Sequence, residues 1–246
     1  MTALTMEAAA ERTNRFYSHF CGTNIAALGP GMHFICTPER DAVLRGYGCR
    51  YTLYLLVKGA VCVAAYSPKH SQWMEPMKAE CPETLLAGVS RRHRLEKRKL
   101  MQFTGEKVDR YGDAKVLRQE DYPLFEAFFQ TIHPGSRTEG WLREYFMEKA
   151  AKGYFTGYHA GGRLLSVCDA PDMPYMEDEI QHTGICTLPE ARRQGYARYT
   201  AALAAHTLLA QGVCPQWECH AGNAASVALA QSIGYREFAT AYILKE

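Results

Sequence analysis

No apolar run in this chain approaches the roughly 20 residues that a membrane-spanning helix needs, so no membrane partner is expected. An excess of one charge is missing as well. The 28 Lys and Arg face 26 Asp and Glu, a formal net charge of +2. That balance exerts little pull on nucleic acid, and none is expected as a partner. The opening residues, Met1-Thr2-Ala3-Leu4-Thr5-Met6-Glu7, lack the basic segment and apolar run of a secretory signal. Cysteine is present without a framework: nine residues, an odd number, are scattered with no paired spacing. Complete internal disulfide pairing is therefore excluded, and reduced thiols in a cytoplasmic setting fit best. Cys214, Cys219 and His220 fall short of the ligand count and spacing of a closed zinc site, and no metal is expected. The dinucleotide fingerprint Gly-x-Gly-x-x-Gly and the P-loop ending Gly-Lys-Ser/Thr are both absent from the stretch on which the chain turns.

That stretch is Ile185-Cys186-Thr187-Leu188-Pro189-Glu190-Ala191-Arg192-Arg193-Gln194-Gly195-Tyr196-Ala197. Residues 183–188 are apolar and rich in Thr and Ile, as a strand is. Pro189 cannot continue a ladder and marks the exit. After Gly195, one helical face collects Tyr199, Ala202, Leu203, His206, Leu209 and Ala210, and Gln211-Gly212 supplies the stop. The pattern predicts a strand, a short loop and a helix. The first turn of a helix leaves backbone N–H groups unpaired at the positive end of the macrodipole. A pyrophosphate can sit there if no bulky side chain intervenes. Gly195 and Ala197 are small, and Arg192 and Arg193 add positive charge at the rim. The plainer alternative is a glycine-bearing turn with solvated arginines.

Arg192-x-x-Gly195-x-Ala197 resembles the acyl-CoA loop of the GNAT superfamily, Gln/Arg-x-x-Gly-x-Gly/Ala. Downstream, Asn223-Ala224-Ala225-Ser226, followed by an apolar helix ending in Gly234-Tyr235, is similar to the second signature of that superfamily. The resemblance covers about residues 114–246. Pro215-Gln216-Trp217-Glu218-Cys219-His220 is also similar to a bacterial branch of it. The resemblance implies an α/β fold with a mixed sheet, helices on both faces, and two central strands that splay around a pantetheine arm. It implies acetyl-CoA as co-substrate, with an amine on a small molecule or a protein as acceptor. The implied cofactor contacts are Ile185, Cys186 and Thr187, the loop Arg192, Arg193, Gln194, Gly195, Tyr196 and Ala197, and then Asn223 and Ser226. Backbone N–H groups of Ile185–Thr187 would polarise the thioester carbonyl. Asn223 is equally a favoured helix cap, and both roles can hold together.

Along the chain, residues 7–20 read as a helix with Thr5 as cap, and residues 32–36 as a short strand. Residues 51–57 and 60–66 flank Lys58-Gly59 as a hairpin. Residues 90–99 carry Arg91-Arg92-His93-Arg94 and Lys97-Arg98-Lys99, and predict a solvated helix face. Residues 103–113 read as a linker. Strand 114–118, helices 120–132 and 138–150, strands 153–160 and 163–170 and a loop over 169–179 follow. After the central strand, loop and helix come a strand over 213–220, a helix from Asn223 and a last strand over 237–244. This divides the chain into residues 1–110, an additional α+β region of open role, and residues 111–246, the acyltransferase domain. A homodimer is compatible with all of it.

The implied reaction is direct attack of a neutral amine on the thioester. A general base should lie on the strands beside the splay, tuned toward neutral pH. The candidates are His182, which has the right intrinsic pKa, and Glu218, with Glu179 and His220 behind them. Many relatives carry a Tyr late in the last helix as proton donor to the thiolate. Here the matching residue is Ala230, and Tyr235 reads as core. The alternative reading is a GNAT-like module that binds acyl-CoA without turnover, as a sensor or interaction domain.

Overall fold

The computed structural model describes residues 2–78, 81–105 and 111–246. Helix α1 (Met6–Cys21) starts where Thr5 accepts the Ala8 N–H at 3.2 Å and stops at Gly22, whose φ is 63°. Strands β1 (Gly31–Cys36), β2 (Tyr51–Lys58) and β3 (Val61–Tyr66) follow, with the expected hairpin between β2 and β3. The one-turn α2 (Ser71–Met74) and α3 (Pro82–Ser90) lead to β4 (Glu96–Phe103). Then come β5 (Ala114–Val116), α4 (Tyr122–Ile132), α5 (Leu142–Ala151), β6 (Thr156–Ala160) and β7 (Arg163–Asp169). The segment expected as one central strand is two, β8 (Ile180–His182) and β9 (Gly184–Thr187), broken at Thr183. Helix α6 (Tyr196–Ala210), β10 (Cys214–His220), α7 (Ala224–Ser232) and β11 (Tyr235–Lys245) complete the chain.

The strands form a seven-stranded sheet, β1-β3-β2-β11-β4-β10-β8, and a four-stranded sheet, β5-β6-β7-β9. The mixed α/β architecture matches the expectation. The helix expected over residues 90–99 does not form: α3 ends at Ser90, and β4 lies between β10 and β11, antiparallel to both. Leu100, Met101 and Phe103 are buried, and two of the charges that suggested a solvated face have partners on the flanking strands. Arg98 reaches Glu218 at 2.9 Å and Lys99 reaches Glu237 at 2.6 Å. The linker expected over residues 103–113 falls partly on residues 106–110, outside the described residues. Strands from before and after that segment share the larger sheet.

Helices cover both faces. α1 lays Ala9, Phe16, Tyr17 and Phe20 against Tyr54, Leu56, Ile180 and Cys214. α4 and α5 lay Phe125, Phe128, Leu142 and Phe146 on Leu165 and Val167. The opposite face carries α6, whose Ala201, Ala202 and Ala205 pack with Cys168, Trp217 and Tyr235. The loop after β7 is tied down by Lys149 of α5, itself buried, which pairs with Asp172 at 2.8 Å and Glu177 at 3.3 Å. On its other side this loop presses on Gly46. A Cβ there would lie 2.2 Å from the Asp172 carbonyl oxygen, and φ is +73°. Gly46→Ala should therefore cost about 2–3 kcal/mol from backbone conformation and clash. In a thermal melt this appears as a loss of roughly 5–10 °C for a chain of this size; an unchanged Tm would contradict the packing described.

Candidate functional site

Beyond Thr183 the two sheets separate. β8 pairs in parallel with β10 as far as His182↔Gln216, and the Thr183 N–H donates to the Gln216 carbonyl at 3.2 Å. β9 then continues with β7, from Gly184↔Asp169 to Thr187↔Ser166, while β10 continues with β4, from Trp217↔Met101 to His220↔Arg98. No ladder joins β9 to the last half of β10 among the described residues. The Leu188 N–H donates to Leu165 of β7 at 2.9 Å. Backbone groups alternate sides along a strand, so Cys186 shares that orientation while Ile185 and Thr187 turn their N–H groups into the opening. Of the three residues expected there, two offer donors and Cys186 does not.

The opening leads to the loop before α6. Arg193 has φ 60° and Gly195 φ 85°. α6 starts without a side-chain cap. Among the described residues, no acceptor takes the N–H groups of Arg193, Gln194, Gly195, Tyr196 or Ala197. A Cβ on Gly195 would meet only the Tyr199 ring, at 3.6 Å, so the positive φ is what selects glycine here. Arg192 and Arg193 are exposed, and Arg192 Nε donates to the Thr187 carbonyl at 3.4 Å. Tyr196 stacks on Tyr158 at 4.3 Å and its hydroxyl donates to Gln194 Oε1 at 2.9 Å. Five free donors at the positive end of a helix, flanked by two arginines, suit an anion.

Asn223 caps α7: its Oδ1 accepts the Ser226 N–H at 3.1 Å, which leaves its amide NH₂ exposed. Ser226 Oγ accepts from Trp217 Nε1 at 3.0 Å. Ala230 and Tyr235 are fully buried on the α6 side; Ala230 carries no hydroxyl, and burial raises the pKa of the Tyr235 phenol, opposed by the nearby Thr183 side chain.

His182 and Glu218 both lie on the face opposite α6. The His182 ring packs on Phe16 with centroids 5.7 Å apart, and its Nε2 is covered and without a partner among the described residues. Burial, reinforced by the Arg98 charge, pushes its pKa down to about 4. Glu218 keeps 4% of its side chain exposed and holds Arg98. Burial raises its pKa against the pull of that guanidinium.

Sequence reading missed a third group on this face. Asp169, which the sequence placed both in the strand 163–170 and in the acidic loop 169–179 and offered for no chemical role, is the last residue of β7. One oxygen of its carboxylate sits against Gly184: a Cβ at 184 would fall 1.9 Å from Asp169 Oδ1. No ion pair holds it among the described residues. Burial pushes its pKa up to about 6, opposed by its own backbone N–H and by His133. The available signal was an apolar strand ending in an acid, whose partner strand begins with glycine. Asp169 lines a cavity of about 190 Å³ with Phe125, Phe128 and Phe129 of α4, Tyr145 of α5, and Cys186 of β9. The cavity thus touches the strand whose donors face the opening.

A family model for GNAT acetyltransferases matches residues 68–244 and so includes β4. No curated protein matches the chain. Among solved structures, the GNAT-family acetyltransferase from Colwellia psychrerythraea is 17% identical with a TM-score of 0.50, over 60% of this chain and 55% of that one. The GCN5-related N-acetyltransferase from Sphaerobacter thermophilus is 12% identical with a TM-score of 0.52, over 69% and 57%. The chain therefore spans little more than half the length of these two proteins, and at such identities the likeness is one of fold. With the family model covering most of its length, the chain belongs to the GNAT acetyltransferase family.

Proposed function

We propose that the protein transfers an acetyl group from acetyl-CoA to a primary amine by direct attack on the thioester. The observation that carries this is the opening between β9 and β10, which runs from the Ile185 and Thr187 donors to the free N–H groups before α6. The diphosphate of CoA takes the N–H groups of residues 193–197 and the two arginines. The pantetheine arm lies in the opening, within reach of the Asn223 amide. The thioester oxygen accepts from Ile185 or Thr187, and the same donors hold the oxyanion of the tetrahedral intermediate, each worth about 10²–10³ in rate.

Asp169 is the base. Its raised pKa suits proton transfer near neutrality. The acceptor ammonium gives one proton to Asp169. Its nitrogen bonds to the carbonyl carbon, and collapse breaks the C–S bond. CoA leaves as the thiolate, and the remaining proton on nitrogen passes to solvent. His182, with its pKa near 4 and its free nitrogen covered, and Glu218, committed to Arg98, are weaker bases for this role. The second reading, a CoA binder without turnover, draws on Ala230 standing where relatives carry a tyrosine.

Asp169→Asn is expected to lower kcat by about 10²–10³ while leaving coenzyme A affinity within about twofold. In the wild type kcat/KM should rise with pH through about 6, as the carboxyl gives up its proton. That limb should vanish in the variant; a wild-type limb that persists in it removes Asp169 as the base. Replacing Arg192 and Arg193 together with Ala should weaken coenzyme A binding by about 10- to 100-fold in calorimetry. No change would remove the anion site. Thiol release across an amine panel separates the two readings: CoA binding with no release favours the binder.

A further inference from the structure

We propose that the cavity under α4 and α5 holds the body of the acceptor, and that the acceptor is a compact hydrophobic amine without a carboxylate. This rests on the acyl-transfer reading above and names its substrate class. The cavity of about 190 Å³ has aromatic walls, and Asp169 and His133 are its titratable groups besides Tyr145 and Cys186. A cavity of about 150 Å³ accepts benzene, so this one takes a phenyl or branched alkyl group with a short arm. The arm brings its nitrogen to Asp169, beside the strand that carries Ile185.

Charge decides against two rival occupants. An acyl tail gains nothing from a carboxylate in its pocket, whereas an ammonium does. An amino acid would bring its own carboxylate to Asp169, and among the described residues no Lys or Arg lines the cavity to offset it. The approach has the same sign. A wider hollow of about 540 Å³ shares Phe129, Tyr145 and Asp169 with the cavity and adds Glu144, Glu148 and Asp172. Lys149 pairs with Glu148 and Asp172, which leaves Glu144 and Asp169 without an ion pair among the described residues. Trp141, 46% exposed, stands at the rim of this hollow, where it offers a face to an arriving cation.

The test uses the full chain, acetyl-CoA, and three acceptors of similar body: 2-phenylethylamine, phenylalanine and phenylalanine methyl ester. The amine and the ester are expected to exceed phenylalanine in kcat/KM by at least about 100-fold, because like charges meet in the acid. Ile132 of α4 also lines the cavity; Ile132→Trp, which fills it, should abolish turnover of 2-phenylethylamine while the smaller ethylamine remains a substrate, with coenzyme A binding as the check on folding. Calorimetry of 2-phenylethylamine alone should show at least about tenfold weaker binding to Asp169→Asn. Equal use of phenylalanine, or an Ile132→Trp effect confined to longer acyl-CoA donors, would overturn the assignment. Binding of the amine without thiol release from any acceptor would leave the cavity assignment standing and remove the transfer reading. Release from amino acids alone would do the reverse.

Discussion

A strand has hydrogen-bonding groups for two neighbours, and the strand through residues 180–187 gives up one neighbour halfway. Up to His182 it pairs with β10; from Gly184 it pairs with β7. Thr183 is the hinge, bound to the Gln216 carbonyl through both its N–H and its hydroxyl. Among the described residues the freed donors of β9 have no strand partner, and Ile185 and Thr187 are only half-buried. They face a gap whose two walls are each held by a full ladder on the far side. Unpaired backbone donors are costly inside a protein, so such an edge persists where the rest of the sheet fixes it and a ligand can reach it.

What holds the far wall is β4. It runs between β10 and β11, and its Arg98 ties Glu96 and Glu218 together under the sheet. The N-terminal region therefore bears directly on the site. α1 covers the face on which His182 and Glu218 lie, and the segment around Gly46 braces the loop that follows Asp169. A buried ion pair such as Arg98–Glu218 contributes little net stability, yet losing one partner is costly. Here it fixes where β10 goes after it leaves β8.

Much of this was legible in the residues. Glycine punctuation, cap chemistry and apolar periodicity revealed the hairpin of β2 and β3, the Thr5 cap of α1, and the strand, loop and helix around Gly195. β4 was not legible, because Glu96-Lys97-Arg98-Lys99 reads as a solvated run, and its partners Glu218 and Glu237 lie more than a hundred residues away. His182 and Glu218 were found by chemical type and do lie on strands at the split. Their burial, which changes what their protons can do, depends on α1 packing that no local pattern reports. Asp169 fell inside the expected strand 163–170, but the acidic run that follows it hid its role, since one acid at a strand end looks like the first of many.

The contact between Asp169 and Gly184 ties two positions into one evolutionary unit. Any side chain at 184 would evict the carboxylate from its seat, and without that carboxylate the space over the strand would need no glycine. Descendants of this chain that abandon the acid are thus free to acquire a methyl or larger group at 184. Those that keep it are not, so the two sites should drift together or not at all.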